Sequence, residues 1–76
     1  MGERKVFKYP VIIEKAQDNF SAYNPDLPGC VATGLTADET LIRMKEAIRF
    51  YIEGLKKEGI VVPEPATEIK YIEITI

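Results

Sequence analysis

One long amphipathic helix is the feature that most constrains how this chain can fold. Between Leu41 and Leu55, apolar side chains recur every three or four residues, which places them on one face of a helix. That apolar stripe consists of Leu41, Met44, Ile48, Tyr51 and Leu55, and it is widened by Ala47 and Ile52. A stripe of this width is typical of a helix that lies with one face on a core.

Both ends of this helix carry their own signals. Thr36 followed by Glu39 makes a capping box, in which each side chain is expected to bond to a free backbone amide. Two lysines in the last turn complement the negative end of the helix dipole. Gly59 is well placed as a left-handed cap. We therefore predict a helix over residues 37–58.

Four other segments are predicted to be β-strands, because apolar residues alternate or cluster in them and turn residues separate them. They are residues 5–15, 20–24, 30–33 and 69–76. One face of the first strand carries Phe7, Tyr9, Val11 and Ile13, and one face of the last carries Ile72, Ile74 and Ile76.

The order β-β-β-α-β predicts an α+β fold in a single domain over residues 1–76. Short connections make the first three strands an antiparallel meander. The helix then crosses over to the fourth strand, which we place beside the first. The predicted sheet order is 3-2-1-4, with the helix packed on one face.

Composition argues against several classes of function. The net charge is −2, whereas domains that bind nucleic acid are usually basic. Histidine is absent, which removes the commonest general base and metal ligand. Cys30 is the single cysteine, so it cannot form an internal disulfide, and we expect it in the core. We predict no catalytic residue, no metal and no cofactor.

Two observations concern the membrane and the compartment. No stretch of the sequence approaches the roughly 20 apolar residues that a membrane span needs. Residues 1–5 are not followed by the apolar region of a signal peptide. We therefore expect a cytoplasmic protein without a membrane partner.

The stretch Pro25-Asp26-Leu27-Pro28-Gly29-Cys30, followed by a short strand, Gly34 and the Thr-capped helix, resembles the hallmark of HicB-type antitoxins. The connector of residues 59–65, a glycine followed by Ile-Val-Val-Pro-Glu-Pro, is similar to the one that this family shows after its helix. Thr40 departs from the family pattern, which usually has alanine there. The resemblance covers about residues 7–65.

The resemblance implies a partial RNase H-like fold and an antitoxin activity. Such proteins bind a small mRNA-cleaving ribonuclease toxin, HicA, and cover its active site. The binding residues it suggests lie in the motif loop and the strand before it: Tyr23, Pro25, Asp26, Leu27, Pro28 and Gly29. Many members also carry a C-terminal DNA-binding domain. Because this sequence stops at the fourth strand, we expect no direct DNA binding.

The motif residues also have structural explanations. Proline presets φ and glycine supplies a positive φ, so a rigid corner between two strands accounts for Pro25, Pro28 and Gly29. An Asx-turn would account for Asp26.

A second hypothesis is a solitary domain of this family that forms a homo-oligomer without a toxin. A domain of this size has a marginal core. An open fourth strand could pair across a two-fold axis and bury Ile72, Ile74 and Ile76.

A metal-dependent nuclease is a distant third hypothesis, since it would need carboxylates that converge on metal ions. The strand carboxylates are Glu14 and Glu73, and such residues are more often solvated edge charges.

Overall fold

A computed structural model describes residues 5–76 of the chain. It contains strands β1 (Ile12–Lys15), β2 (Phe20–Tyr23) and β3 (Val31–Gly34), followed by one helix, α1 (Ala37–Lys57). The fold is α+β, as predicted. The prediction that a signal peptide is absent rests on residues 1–5, and residues 1–4 lie outside the described part.

The three strands form an antiparallel meander in the order β1-β2-β3, which confirms that part of the predicted topology. A turn closed by a 2.8 Å bond from the Ala16 amide to the Asn19 carbonyl joins β1 to β2. Ile13, Ala22 and Ala32 are opposite one another across the sheet, so their side chains share one face. All three belong to the core or pack against it, so this is the face that α1 covers.

The core lies between the sheet and the middle of α1. Ala22, Leu27, Cys30 and Met44 are buried at its centre. Partly buried side chains surround them: Tyr9, Val11, Ile13, Ala32, Ala47, Ile48 and Tyr51. The middle of the predicted apolar stripe therefore faces the core, whereas Leu41, near the start of the helix, is about half exposed.

A close approach between Gly34 and Thr40 sets the position of α1 on the sheet. A Cβ atom built on Gly34 would lie 2.6 Å from Thr40 Oγ1 and 2.9 Å from the Thr40 amide nitrogen. Thr40 is fully buried, and its hydroxyl donates a 2.7 Å bond to the Thr36 carbonyl. The absence of a side chain at Gly34 thus lets the end of β3 contact the first turn of the helix.

The helix caps form largely as predicted, with one difference at Glu39. Thr36 Oγ1 accepts a 3.0 Å bond from the Glu39 amide. The Glu39 carboxylate does not complete the capping box; it pairs with Arg43 at 2.6 Å. Arg43 also donates to the Thr33 carbonyl, so it links the helix to β3 and draws the carboxylate away from the cap.

At the other end, Gly59 adopts a φ of 70° and ends the helix in a Schellman motif. The Gly59 amide bonds to the Lys56 carbonyl, and the Ile60 amide bonds to the Leu55 carbonyl at 2.9 Å. The prediction of a left-handed glycine cap is confirmed.

Two predicted strands differ from the structure. The first begins at Ile12 rather than at Lys5, and residues 69–76 form no strand. A strand exists only where a neighbouring backbone accepts and donates its hydrogen bonds. In this single chain neither residues 5–11 nor residues 69–76 have such a neighbour. β1 and β3 are therefore the two edges of the sheet within residues 5–76.

Within the described residues, no helix has both the length and the apolar content needed to cross a membrane.

Candidate partner-binding surface

The motif loop between β2 and β3 is closed by its own backbone and by Asn24. The Asn24 side-chain oxygen accepts a 2.7 Å bond from the Asp26 amide, which is the geometry of an Asx-turn. Backbone bonds from Leu27 to Asn24 and from Cys30 to Leu27 complete the loop. The Asx-turn predicted for Asp26 is therefore made by Asn24, which is almost completely buried.

Asp26 has a different role, because it anchors the connector that follows α1. Its Oδ1 accepts bonds from the Ala66 amide and the Thr67 hydroxyl, both at 3.1 Å. These contacts join residues about 40 positions apart in the sequence. We call this pair of bonds the Asp26 latch.

Tyr9 holds the same connector a few residues earlier, since its hydroxyl donates to the Pro63 carbonyl. Burial raises the pKa of Tyr9 above its ordinary value of 10.0, and the nearby carboxylates of Asp26 and Glu64 add to this rise. The neutral phenol is therefore the form that the folded chain favours.

Leu27 and Cys30 point into the core. Leu27 is completely buried, and Cys30 lies beside it in the same apolar cluster. Burial raises the pKa of the Cys30 thiol above its ordinary value of 9.0, so the unreactive protonated form predominates at neutral pH. Of the six predicted binding residues, Asp26 and Leu27 therefore make their contacts within the fold.

The other predicted binding residues lie on the surface. Tyr23, Pro25, Pro28 and Gly29 are exposed, and Gly29 has a φ of 80°, a backbone conformation that favours glycine. These four residues remain a predicted contact surface, while their loop conformation is explained by turn chemistry.

An apolar groove of about 310 Å³ adjoins this loop at the β3 edge of the sheet. We call it the β3 groove, and its lining residues come from the end of the loop, β3 and α1: Gly29, Cys30, Val31, Ala47, Phe50, Tyr51 and Gly54. Phe50 is 79% exposed and Val31 63% exposed. Exposed aromatic and aliphatic side chains beside an open strand edge are typical of a protein-binding surface.

The carboxylates considered for nuclease chemistry are both solvent-exposed. Glu14 lies on β1, and Glu73 lies in the C-terminal segment outside any strand. Among residues 5–76, no three side chains of the metal-binding types lie close enough to hold an ion together.

Sequence comparison places this fold in a known family. The family described as "HicB_like antitoxin of bacterial toxin-antitoxin system" matches residues 9–74, nearly the whole chain. The chain belongs to the HicB-like antitoxin family. A chain of a solved HicA3 and HicB3 toxin–antitoxin complex has a similar structure, with a TM-score of 0.67 and 35% identity. That match covers 79% of this chain and 70% of the other.

Several family relatives carry names without a function. A UPF0150 protein of Thermoplasma acidophilum is 49% identical over 91% of this chain and 96% of its own length. A UPF0150 protein of Archaeoglobus fulgidus is 35% identical over 83% of this chain and 96% of its own length. An uncharacterized 14.9 kDa protein of Haemophilus phage HP1 is 39% identical over 84% of this chain, which spans 48% of that relative.

Sequence reasoning missed Asn24 and Phe50. Asn24 precedes a proline at the end of a strand, a position where a side-chain oxygen can close a turn, so a local signal existed. Phe50 lies outside the predicted apolar stripe of α1. A large aromatic residue on the face of a helix that does not pack on the core was the available signal for an interaction surface.

Proposed function

We propose that this chain is an antitoxin that neutralises a HicA-type mRNA-cleaving toxin by covering its active site with the β3 groove and the exposed motif residues. Membership of the HicB-like family and the similar chain in the HicA3 and HicB3 complex support the antitoxin role. The observation that carries the choice of surface is the exposure of Phe50 beside an unpaired strand edge and the motif loop.

The groove offers three kinds of contact to such a toxin. Phe50 supplies a large apolar anchor, which interfaces concentrate at their centre. The free edge of β3 offers backbone donors and acceptors for strand addition. A net charge of −2 favours association with a basic ribonuclease.

Co-expression with a HicA-type ribonuclease encoded beside this chain tests the proposal. We expect wild-type chain to restore growth and Phe50→Glu to abolish protection, because the anchor becomes a charge. Val61→Glu is the matched control, since Val61 is 86% exposed on the connector and outside the groove. Protection that survives Phe50→Glu would contradict the choice of surface, and no protection by wild type would contradict the antitoxin role.

A second variant tests the groove without removing an apolar residue. Gly54 lines the groove, and no atom lies within 4 Å of a Cβ built on it. Gly54→Arg should preserve the helix, since arginine forms helix better than glycine. Its long side chain should occupy the groove and weaken toxin binding, with the circular dichroism of the free chain unchanged.

A second candidate function is the solitary homo-oligomeric domain, which the exposed C-terminal segment of residues 69–76 favours. We place the fourth strand of the expected partial RNase H-like fold in this segment, formed on assembly. A chain that protects against no neighbouring toxin and forms a stable oligomer would match this candidate.

A further inference from the structure

The C-terminal segment, residues 69–76, projects from the fold with its side chains in solvent. Tyr71 is 91% exposed, Ile72 84% and Ile74 76%. Ile72, Ile74 and Ile76 alternate with Tyr71, Glu73 and Thr75, which is the pattern of a strand with one strongly apolar face. Isolated exposed apolar residues are ordinary, but a run with strand periodicity is not.

A second apolar groove lies at the opposite edge of the sheet from the β3 groove. This β1 groove has a volume of about 420 Å³ and lies between the segment before β1 and the first half of α1. Its lining residues are Phe7, Tyr9, Val11, Leu41, Ile42, Lys45 and Ile48. Leu41 and Ile42 are 48% and 62% exposed, so this half of the helix lacks an apolar cover.

The groove has the position that a fourth strand would need. β1 is a sheet edge, and residues 5–11 continue from it without a strand partner. A strand placed beside β1 would direct every second side chain under α1, where the β1 groove lies. With Ile72, Ile74 and Ile76 on that side, Glu73 and Thr75 would face solvent.

The chain's own segment does not reach the groove. Tyr9 holds the connector at Pro63, and the Asp26 latch holds it at Ala66 and Thr67. Beyond these anchors the segment leaves the fold, and residues 69–76 are all exposed. A second copy offers an identical segment, and a two-fold axis would place each segment in the other copy's groove.

We propose that two copies of this chain exchange their C-terminal segments, so that residues 69–76 of each copy form a fourth strand beside β1 of the other. Ile72, Ile74 and Ile76 occupy the partner's β1 groove. Eight residues in a strand span roughly 26 Å, enough to pair with β1 and with the residues before it. The exchange covers two apolar surfaces at once and closes one open edge of each sheet.

Sedimentation velocity of the 76-residue chain tests the exchange. We expect wild type at micromolar concentrations to have twice the chain mass, and Ile74→Asp to have the mass of one chain. The substitution occurs twice in the dimer, so the dissociation constant should rise at least about a hundredfold. Thr75→Asp adds the same charge on the other face and should leave the dimer intact.

Two outcomes would overturn the proposal: a wild-type monomer, or a dimer equally resistant to Ile74→Asp and Thr75→Asp. The segment contacts little in a single chain, so Ile74→Asp should retain the helical circular dichroism signal, which separates loss of assembly from unfolding.

Crosslinking distinguishes exchange from folding back. Chains with Ile42→Cys and chains with Ile74→Cys, mixed and oxidised, should give a disulfide-linked pair of two different chains. Cys30 is buried and should not compete. A third variant carries both Ile42→Cys and Ile74→Cys in one chain. A disulfide that forms only within this variant, at the mass of one chain, would assign the groove to the chain's own segment and overturn the exchange.

The exchange and the toxin-binding proposal fail separately. Phe50→Glu lies in the β3 groove and should leave the dimer mass unchanged while toxin protection is lost. Ile42→Glu lies in the β1 groove and should give monomers. Monomers after Phe50→Glu would contradict the assignment of the two grooves to different partners.

Discussion

Gly34 brings the end of β3 into close contact with the first turn of the helix. Its missing side chain makes room for the buried Thr40, whose hydroxyl bonds back to Thr36. Local turn chemistry alone would explain a glycine at the end of a strand, but it does not reveal this contact.

Gly34→Ala should destabilise the fold by about 1–3 kcal/mol, because its Cβ would overlap Thr40 and the helix would have to shift. Urea unfolding measures the loss. Gly54→Ala is the matched control, since its Cβ meets no neighbour and should stabilise the helix by about 0.5–1 kcal/mol. Equal effects of the two substitutions would refute the steric account.

Other residues were predictable from local chemistry. Gly29 and Gly59 both adopt the positive φ that their positions suggested. Asp26 was not predictable, because its partners are Ala66 and Thr67, far along the chain. Residue types that solve a local problem can be identified from sequence, whereas those that join distant segments need the fold.

At the scale of elements, the Asp26 latch holds the post-helix connector against the motif loop. Asp26→Ala should cost about 1–2 kcal/mol, because two hydrogen bonds to a carboxylate are lost at a partly exposed site. Amide hydrogen exchange at Ala66 should accelerate relative to the helix core.

Asp26→Asn is the control for the latch, since the amide oxygen can still accept both bonds. It should retain most of the protection at Ala66. If Asp26→Asn and Asp26→Ala accelerate exchange at the Ala66 amide equally, the hydrogen bonds of the latch do not hold the connector.

The elements themselves followed from sequence to different degrees. The observed helix, Ala37–Lys57, matches the prediction to within one residue, because its stripe and caps are local signals. The first strand was predicted too long and the fourth is absent from the single chain. Alternation predicts that a segment can form a strand, but pairing depends on a neighbour that sequence periodicity does not identify.

At the scale of the whole molecule, the chain is more extended than its length requires. Its radius of gyration is 14.6 Å, whereas a compact chain of this length would have about 11 Å. The exposed C-terminal segment and the two grooves have the same implication: the single chain leaves apolar surface for partners to cover.

Ionisation of Tyr9 should lower the free energy of unfolding of the whole fold at alkaline pH. Its pKa is raised in the folded chain, so the folded state keeps a proton that the unfolded state loses above about pH 10. The stabilisation is complete below the ordinary tyrosine pKa and should decline as pH rises through the folded pKa. Urea unfolding from about pH 8 to about pH 11 should show this decline.

Tyr9→Phe isolates that contribution, because it removes the ionising hydroxyl. The variant should be less stable than wild type at neutral pH through loss of the bond to Pro63, and the difference should narrow above about pH 10. A constant difference across this range would mean that Tyr9 titrates equally in both states.

The central claim is that this chain binds a HicA-type toxin through the β3 groove. Hydrogen exchange measured with and without such a toxin tests this claim most directly. On addition of the toxin, we predict slower exchange at the amides of β3 and of residues 47–54, with little change along residues 7–11 and 41–46. Slower exchange confined to the β1 groove, or no change at saturating toxin, would contradict the account.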